Sequence, residues 1–241
     1  GVISEGNPNN TIVGNVIYNI TGIDDNNGKG GDYAIVSSKG CLIANNTIIN
    51  TDVFGAAILV AEDCTVYGNM IQIVSNGSGI EIGSKNGNNS KVYNNTVDFI
   101  SGNGIFINGE PYNVEIYSNI LNSLSYIGAP EGSSVGLGIN ARYQSRFKRP
   151  YNVSIFDNVI YTQNNFAINI AQLSTESYLC ENNDVGGKGI IYPMSVIYIP
   201  TFGNGSVYEV NEKNYDQFFT SDGLTDIVLD GDFLIFTGNF T

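Results

Sequence analysis

Apolar residues recur along this chain at fixed offsets from a repeated asparagine. Each copy has an apolar residue three positions before the asparagine and another two positions after it. A second apolar alternation then follows, as at Ile80 and Ile82. Short runs of β-branched residues with a period of two predict β-strands. The repeated residues are Asn15, Asn46, Asn69, Asn95, Asn119, Asn158 and Asn183.

The spacing of these copies indicates a solenoid. Successive asparagines are 31, 23, 26, 24, 39 and 25 residues apart. Most of these intervals are too short for a strand–helix unit, but they accommodate two or three short strands per turn. Each strand would then stack in parallel on the copy before it, about 4.8 Å away. We therefore predict an all-β fold, a parallel β-helix of about seven coils, over residues 1–190.

Stacking also explains why the asparagine recurs. At a bend between strands, asparagine tolerates left-handed backbone angles. Its amide can bond to the backbone and to the equivalent asparagine of the next coil. We expect a structural ladder that holds the coils together and takes no part in catalysis.

The repeat fades near residue 190, and the remaining residues predict a different segment. A short helix is expected from an N-cap at Asn211 to Gly223, followed by a hairpin around Asp230 and Gly231. Residues 191–241 are therefore expected to cap the last coil or to begin a following module.

The repeats NNTIVGN, ANNTIIN and YNNTVDFISGNGIFI carry a resemblance. They resemble the right-handed parallel β-helix repeats of the large adhesin-like surface proteins of methanogenic archaea, which have pectin-lyase-like architecture and NosD-type repeats. The C-terminal tail is similar to the segments that join one β-helix block to the next in those proteins. The resemblance implies a right-handed solenoid, a cell-surface location, no cofactor and further β-helix modules in the same parent chain. A chain that begins with Gly1 is accordingly expected to be a piece of a longer protein. The motif is specific for the fold and says little about function, since the same solenoid serves lyases, hydrolases and passive stalks.

Composition narrows the function. The formal net charge of −13 argues against nucleic acid or an anionic membrane as partner. Histidine is absent, which excludes Ser-His-Asp and Cys-His catalytic sites and histidine-ligated zinc. No stretch approaches the roughly 18 consecutive apolar residues that a membrane-spanning helix needs.

Four aromatic residues occupy one outward position of the repeat, two residues before the asparagine. Because the residue before each of them is an inward apolar residue, the rings should point outward. They could stack on one another or offer a platform to sugar rings. This aromatic column consists of Tyr67, Tyr93, Tyr117 and Phe156.

Two insertions, 22–32 and 123–136, fall between corresponding strands and should leave the same corner of the solenoid. A third irregular segment, 142–151, contains four of the ten basic residues. Insertions on a rigid scaffold are common binding sites, so this basic stretch could contact acidic glycans or pair with nearby carboxylates. Its basic residues are Arg142, Arg146, Lys148 and Arg149.

The first insertion also contains a weak calcium motif. Asp24, Asn26 and Asp32 could bind Ca²⁺, but Gly28 occupies a ligand position of the EF-hand pattern and the terminal glutamate is missing. A solvated turn is the favoured interpretation, and no metal site is predicted.

The carboxylates do not match a known glycosidase or lyase arrangement. Two of them, Glu81 and Asp98, fall on outward positions of different strands. A glycosidic bond requires two carboxylates roughly 5 to 10 Å apart.

The cysteines allow two interpretations. Cys41 and Cys64 share one inward position in adjacent coils, and Cys180 replaces an inward isoleucine. We expect buried thiols for all three and leave a Cys41–Cys64 disulfide open.

Some N-glycosylation is also expected, because nine Asn-X-Ser/Thr motifs occur. They begin at Asn9, Asn19, Asn45, Asn76, Asn88, Asn94, Asn152, Asn204 and Asn239.

The sequence thus favours a non-enzymatic module of an adhesin-like surface protein, which acts as a rigid spacer and a contact surface for cells or glycans. Two alternatives stay open. One is a carbohydrate-active β-helix, a polysaccharide lyase before a hydrolase, and the other is a purely structural surface-layer or stalk element.

Overall fold

The computed structural model describes most of the first 191 residues and four strands nearer the C-terminus. The described ranges are 2–3, 8–21, 33–53, 55–75, 77–83, 87–124, 136–142, 149–163, 166–174, 177–187, 189–191, 197–198, 207–208, 226–230 and 233–237. The chain divides into two compact units, Gly1–Ile191 and Tyr192–Thr241.

Within the described residues the first unit is built of parallel β-strands on three faces and contains no helix. The chain visits sheets 1, 2 and 3 in turn and then returns to sheet 1. Sheet 1 comprises β1 (Val2–Ile3), β4 (Tyr33–Val36), β7 (Ala56–Val60), β10 (Ser78–Ile82), β13 (Ile105–Asn108), β16 (Ile139–Arg142), β19 (Ile168–Asn169) and β22 (Ile190–Ile191). Sheet 2 comprises β2 (Thr11–Val13), β5 (Leu42–Ala44), β8 (Thr65–Tyr67), β11 (Lys91–Tyr93), β14 (Tyr112–Tyr117), β17 (Tyr151–Phe156) and β20 (Tyr178–Glu181). Sheet 3 comprises β3 (Val16–Tyr18), β6 (Thr47–Asp52), β9 (Met70–Ser75), β12 (Thr96–Ile100), β15 (Ile120–Leu124), β18 (Val159–Thr162) and β21 (Asp184–Val185).

Each strand pairs in register with the equivalent strand of the next coil. Ile80, for example, aligns with Ile58 on one side and with Ile105 on the other. Because side chains alternate between the two faces of a strand, this register places equivalent residues in columns along the solenoid. The architecture is that of a parallel β-helix, as the repeat predicts.

The apolar positions of the repeat form the core as three columns. Each fully buried isoleucine, valine or leucine contributes roughly 1.5–3 kcal/mol relative to an exposed side chain. The sheet 1 column is Ile35, Ile58, Ile80, Ile105, Ile139 and Ile168; the sheet 2 column is Ile12, Ile43, Val66, Val92, Ile116 and Ile155; and the sheet 3 column is Ile17, Ile48, Ile71, Val97, Leu121 and Ile160.

The bend between sheets 2 and 3 corrects one expectation about the repeated asparagine. The residue with left-handed backbone angles is the one before it, as at Asn45, whose φ is 53°, and at Gly68, whose φ is 64°. The preceding residue therefore makes the turn and frees the asparagine amide to point into the solenoid. The prediction that the repeated asparagine itself adopts these angles is wrong.

The second unit contains two antiparallel pairs. Strands β23 (Ile197–Tyr198) and β24 (Val207–Tyr208) form one pair, and β25 (Asp226–Asp230) and β26 (Phe233–Thr237) form the other. Asp230 pairs with Phe233, so residues 231–232 connect the second pair as a hairpin. The helix expected at 211–223 lies outside the described residues. In the part of the chain that is described, no helix is long and apolar enough to cross a membrane.

Candidate contact surface

The repeated asparagines form an unbroken series of hydrogen bonds. Each Nδ2 from Asn15 to Asn158 donates to Oδ1 of the asparagine in the following coil, over distances of 2.8 to 3.0 Å. Each backbone N–H donates to that same oxygen at 3.0 to 3.1 Å. We call this series the inner asparagine ladder.

The inner asparagine ladder also bonds to the preceding coil. Asn95 Nδ2 donates to the carbonyl of Val66 at 3.1 Å, and Asn119 Nδ2 donates to that of Val92 at 2.9 Å. Asn95 is 1 % exposed and Asn119 is fully buried. The ladder therefore directs its polar atoms toward neighbouring coils.

The aromatic column lies on the outer face of sheet 2, with its rings stacked on one another. Ring centroids are 5.2 Å apart between Tyr67 and Tyr93, 4.8 Å between Tyr93 and Tyr117, and 4.9 Å between Tyr117 and Phe156. The planes of these pairs differ by 4 to 10°. Each inner ring therefore has both faces covered by its neighbours.

This stacking changes what the column can bind. A sugar that stacks on an aromatic residue needs an open ring face, and the faces of Tyr93 and Tyr117 are occupied. The column instead presents ring edges and tyrosine hydroxyls. A tyrosine hydroxyl is neutral near neutral pH and can both donate and accept hydrogen bonds. Partial burial raises the pKa of Tyr117 further.

Beside the aromatic column lies an ion pair on the same face. Lys91 Nζ is 2.9 Å from Glu115 Oε2, and both side chains are about half exposed. The hydrogen bond from Lys91 to Glu115 raises the pKa of the lysine. An exposed pair of this kind adds little stability, so its main effect is to place both charges next to the tyrosines.

A second aromatic pair on sheet 2 was not predicted from the sequence. Tyr112 and Tyr151 stack with centroids 5.2 Å apart and ring planes 12° apart. Each lies five residues before a member of the aromatic column, namely Tyr117 and Phe156. That constant offset could have revealed the pair.

The sequence analysis also missed an exposed polar column at the corner between sheets 1 and 2. Asn152 Nδ2 donates to Asn113 Oδ1 at 2.6 Å, Asn113 donates to Asn89 at 2.9 Å, and Asn89 donates to Asp63 at 2.9 Å. We call these four residues the outer polar column. All four have positive φ, from 51 to 57°, and each lies six residues before a ladder asparagine. This fixed offset of Asn and Asp residues from the ladder asparagines could have revealed the column in the sequence.

The outer polar column ends on a carboxylate and a lysine. Lys39 Nζ lies 3.1 Å from Asp63 Oδ2 and 3.2 Å from Glu62 Oε2. Hydrogen bonds from Asn89 and then from Lys39 hold the pKa of Asp63 below its ordinary value. Donors in this column point toward the N-terminus, whereas those of the inner asparagine ladder point toward the C-terminus.

The basic stretch is not on the aromatic column. Arg142 is exposed at the end of β16 in sheet 1, and Arg149 is half-buried two residues before β17 in sheet 2. Arg149 precedes Phe156 by seven residues, and the chain turns between them at Asn152, whose φ is 51°. Arg146 and Lys148 lie outside the described residues. The aromatic column and the described residues of the basic stretch therefore do not form one cluster.

The corner insertions can be placed through the strands that flank them. Residues 22–32 join β3 to β4, and residues 123–136 extend from β15 toward β16, so both connect sheet 3 with sheet 1. The calcium candidates Asp24, Asn26 and Asp32 lie outside the described residues. Among the residues that are described, no group of three histidine, cysteine, aspartate or glutamate side chains could hold a metal ion.

The two outward carboxylates are on different sheets, and one of them is covered. Glu81 on β10 is 8 % exposed, and its Oε1 accepts a 2.9 Å hydrogen bond from Asn108 Nδ2. Burial raises the pKa of Glu81, and hydrogen bonds from Asn108 and Tyr33 offset part of that effect. Asp98 is half-buried on β12 in sheet 3.

The cysteines are free thiols. Cys41 and Cys64 are each 1 % exposed, and the Cys64 thiol donates to the carbonyl of Ser38 at 3.1 Å. Cys180 is half-buried, in contrast to the full burial expected for all three, because it lies on β20, the last strand of sheet 2. Burial raises the pKa of Cys180 to about 11.

Comparison with protein-family models, curated proteins and solved structures finds no significant match for this chain.

Proposed function

We propose that this chain is a non-enzymatic module of an adhesin-like cell-surface protein, where it acts as a rigid spacer and a contact surface for cells or glycans. The observation that supports this proposal is the bonding pattern of the repeated residues. Members of the inner asparagine ladder and of the outer polar column form hydrogen bonds with their equivalents in adjacent coils, and the tyrosines stack on theirs. Such a repeat lengthens and stiffens the solenoid, as a spacer requires.

The proposal includes finer features of the architecture. The solenoid is right-handed and has about seven coils. Residues 191–241 cover its last coil or connect it to a further β-helix module of the same parent chain. The module is extracellular, and it requires no cofactor.

The contact surface of the proposed module is the outer face of sheet 2. Its tyrosine hydroxyls recur at the spacing of the coils, and the Lys91–Glu115 pair supplies one charge of each sign beside them. A glycan or protein surface with a regular row of hydroxyl or amide groups could bond to this array edge-on. Aromatic residues are also the side chains that most often dominate binding at protein surfaces.

The test is binding of the purified chain to a glycan array and to intact cells. Replacing Tyr93 and Tyr117 together by phenylalanine removes two hydroxyls and keeps the ring stack, so we expect binding to fall at least tenfold. Replacing both by alanine should have at least the same effect. The matched control, Arg142→Ala with Arg149→Ala, should leave binding unchanged. Binding that survives the alanine pair would place the contact elsewhere, and absence of any ligand would favour a purely structural stalk.

A carbohydrate-active function remains the second candidate, and Glu81 is the observation that favours it. A buried carboxyl group with a raised pKa resembles the general acid of many glycosidases. Incubation with polyuronides and other glycans, with and without Ca²⁺, tests this candidate. A defined oligosaccharide product that disappears in the Glu81→Gln variant would replace our proposal.

A further inference from the structure

Two of the nine Asn-X-Ser/Thr motifs occupy the same structural position. Asn45 and Asn94 each directly precede an asparagine of the inner ladder, at the corner between sheets 2 and 3. Both have a φ of 53°, and both side chains are exposed. The left-handed residue at this corner faces outward while the next residue faces inward. Asn45 and Asn94 are therefore on the surface because Asn46 and Asn95 are in the ladder.

The neighbours of these two residues are small. Along this corner the equivalent positions in successive coils are Gly14, Asn45, Gly68, Asn94 and Ser118. A Cβ atom built on Gly68 would collide with Asn45 Oδ1, whereas one built on Gly14 would meet nothing within 4 Å. The Asn45 carboxamide thus lies across the glycine between the two motifs. The two asparagines are about 10 Å apart, at two coil spacings of about 4.8 Å. The glycine at position 68 therefore leaves the Asn45 carboxamide the space that a side chain would otherwise fill.

The reactive atoms of both motifs are free. Across the described part of the chain, no group accepts a hydrogen bond from Nδ2 of Asn45 or Asn94, although the full set of ladder amides is bonded. The third residues, Thr47 and Thr96, begin strands β6 and β12 and have half-exposed side chains. Their hydroxyls likewise have no partner among the residues that the structure describes.

The motifs that begin at Asn88 and Asn152 differ in this respect. In the motif that begins at Asn88, the Ser90 side chain is fully buried, and its hydroxyl donates to the carbonyl of Ala61 at 2.9 Å. Asn88 Oδ1 accepts the backbone N–H of Tyr112 at 3.2 Å. In the motif that begins at Asn152, Nδ2 donates to Asn113 at 2.6 Å within the outer polar column. The Ser90 hydroxyl and the Asn88 carboxamide oxygen are therefore already bonded in the fold, unlike the groups of the Asn45 and Asn94 motifs.

We propose that Asn45 and Asn94 carry N-linked glycans. The proposal rests on the extracellular location that belongs to the proposed function. The co-reactant is a lipid-linked oligosaccharide. Nδ2 forms a bond to the anomeric carbon of the sugar as the bond from that carbon to the lipid phosphate breaks. The phosphate leaves with the bonding electron pair, and it takes up the proton that Nδ2 loses. No group is oxidised or reduced.

The position of these glycans affects the contact surface. Asn94 directly follows Tyr93, and the Asn45 position borders the end of the aromatic column at Tyr67. Sugars at both asparagines would line one edge of the column. They would restrict access to the tyrosines from the side of sheet 3.

The test is site mapping on the full chain secreted from a eukaryotic host. Folded protein is separated by size exclusion, treated with a peptide N-glycosidase in heavy-oxygen water and analysed by mass spectrometry. We expect the isotope label at Asn45 and Asn94 and none at Asn88. Thr47→Ala combined with Thr96→Ala should lower the mass of the intact protein by two glycans. The matched pair Thr47→Ser and Thr96→Ser should retain both glycans.

Folded secreted protein without label at Asn45 and Asn94, or with label at Asn88, would overturn the assignment. The threonine variants keep the left-handed asparagines, so loss of glycan in them cannot come from strain at the turn. Glycan-free protein made in a bacterial cytoplasm is used for the binding assay of the proposed function. The absence of binding in that assay therefore does not affect the conclusion from glycan mapping. Likewise, the absence of glycans at Asn45 and Asn94 does not affect the conclusion from the binding assay.

Discussion

Replacing Asn95 by leucine should interrupt the inner asparagine ladder at its centre. Leucine has nearly the shape of asparagine, so the substitution keeps the packing and removes the polar atoms. Asn95 Nδ2 loses its bonds to Val66 O, Tyr93 O and Asn119 Oδ1, which are 3.0 to 3.1 Å long. Oδ1 no longer accepts from the backbone N–H and Nδ2 of Asn69, at 3.1 and 2.9 Å.

The size of the effect follows from the hydrogen bonds that are lost, although Asn119 Oδ1 keeps its bond from the backbone N–H of residue 95. The Asn69 N–H, the Val66 carbonyl and Asn119 Oδ1 each lose a bond inside the solenoid, at about 1–3 kcal/mol apiece. Burial of the leucine side chain offsets about 1.5–3 kcal/mol of this loss. The loss of these hydrogen bonds outweighs the gain from burying the leucine, and we expect a net destabilisation of about 3 kcal/mol. With a urea dependence of about 3 kcal/mol per molar, the unfolding midpoint should fall by about 1 M.

The assay is equilibrium unfolding in urea, followed by far-ultraviolet circular dichroism. The matched control is Asn122→Leu, which makes the same change at a half-exposed position on the outer face of sheet 3. We expect the control to shift stability by less than about 0.5 kcal/mol. Equal midpoints for Asn95→Leu and Asn122→Leu would refute the reasoning, because the ladder would then contribute nothing beyond side-chain shape.

Three further predictions follow from the surface and from the thiols. Tyr117→Ala removes two ring contacts and should cost about 1–3 kcal/mol in urea unfolding, whereas Tyr117→Phe should keep the stability of the parent; equal losses would mean that the hydroxyl matters more than the stack. The pKa of Asp63 is lowered in the folded chain, so its stabilising effect is complete above the unfolded pKa and disappears as pH falls through the folded value. Between about pH 4.5 and pH 2 the parent should therefore lose more stability than Asp63→Asn. The same loss in both proteins would contradict the claim that the outer polar column stabilises the Asp63 carboxylate. Cys64 and Cys180 have raised thiol pKa values, so native protein at pH 8 should react slowly with a disulfide reagent. Three thiols should titrate in denaturant, and a count of one would reveal a disulfide.

The core and the inner asparagine ladder could be predicted because both depend on simple periods. Side chains in strands alternate with a period of two, so Val92 and Val97 had to face inward once Tyr93 and Asp98 faced outward. The nearly constant interval between coils then placed equal residues side by side. Length and spacing were sufficient for that conclusion.

The backbone angles at the bend were harder to predict. Asn45 and Asn46 are both asparagine, and either could adopt a left-handed conformation. The choice is made by the hydrogen bonds of Asn46, which need its side chain inside the solenoid. Those bonds form with residues 34 and 23 positions away, which no local pattern contains.

Surface detail was also beyond sequence patterns. Strand alternation predicts that Tyr93 and Glu81 point outward. It predicts neither the orientation of the tyrosine ring nor the burial of the glutamate side chain. The tyrosine rings close their faces against one another, and Glu81 is buried although it lies on the outer side of its strand. Both outcomes depend on side-chain torsions and on neighbours in other coils.

Amide hydrogen exchange at the ladder asparagines tests the central claim most directly. The backbone N–H groups of Asn69, Asn95 and Asn119 lie at bends outside the strands, yet each donates to a side-chain oxygen of the next coil. If the repeated asparagines hold the coils together, these amides should exchange as slowly as the central strand amides of Val92 and Val97. Exchange as fast as that of exposed turn amides would mean that the asparagines mark the repeat without joining the coils.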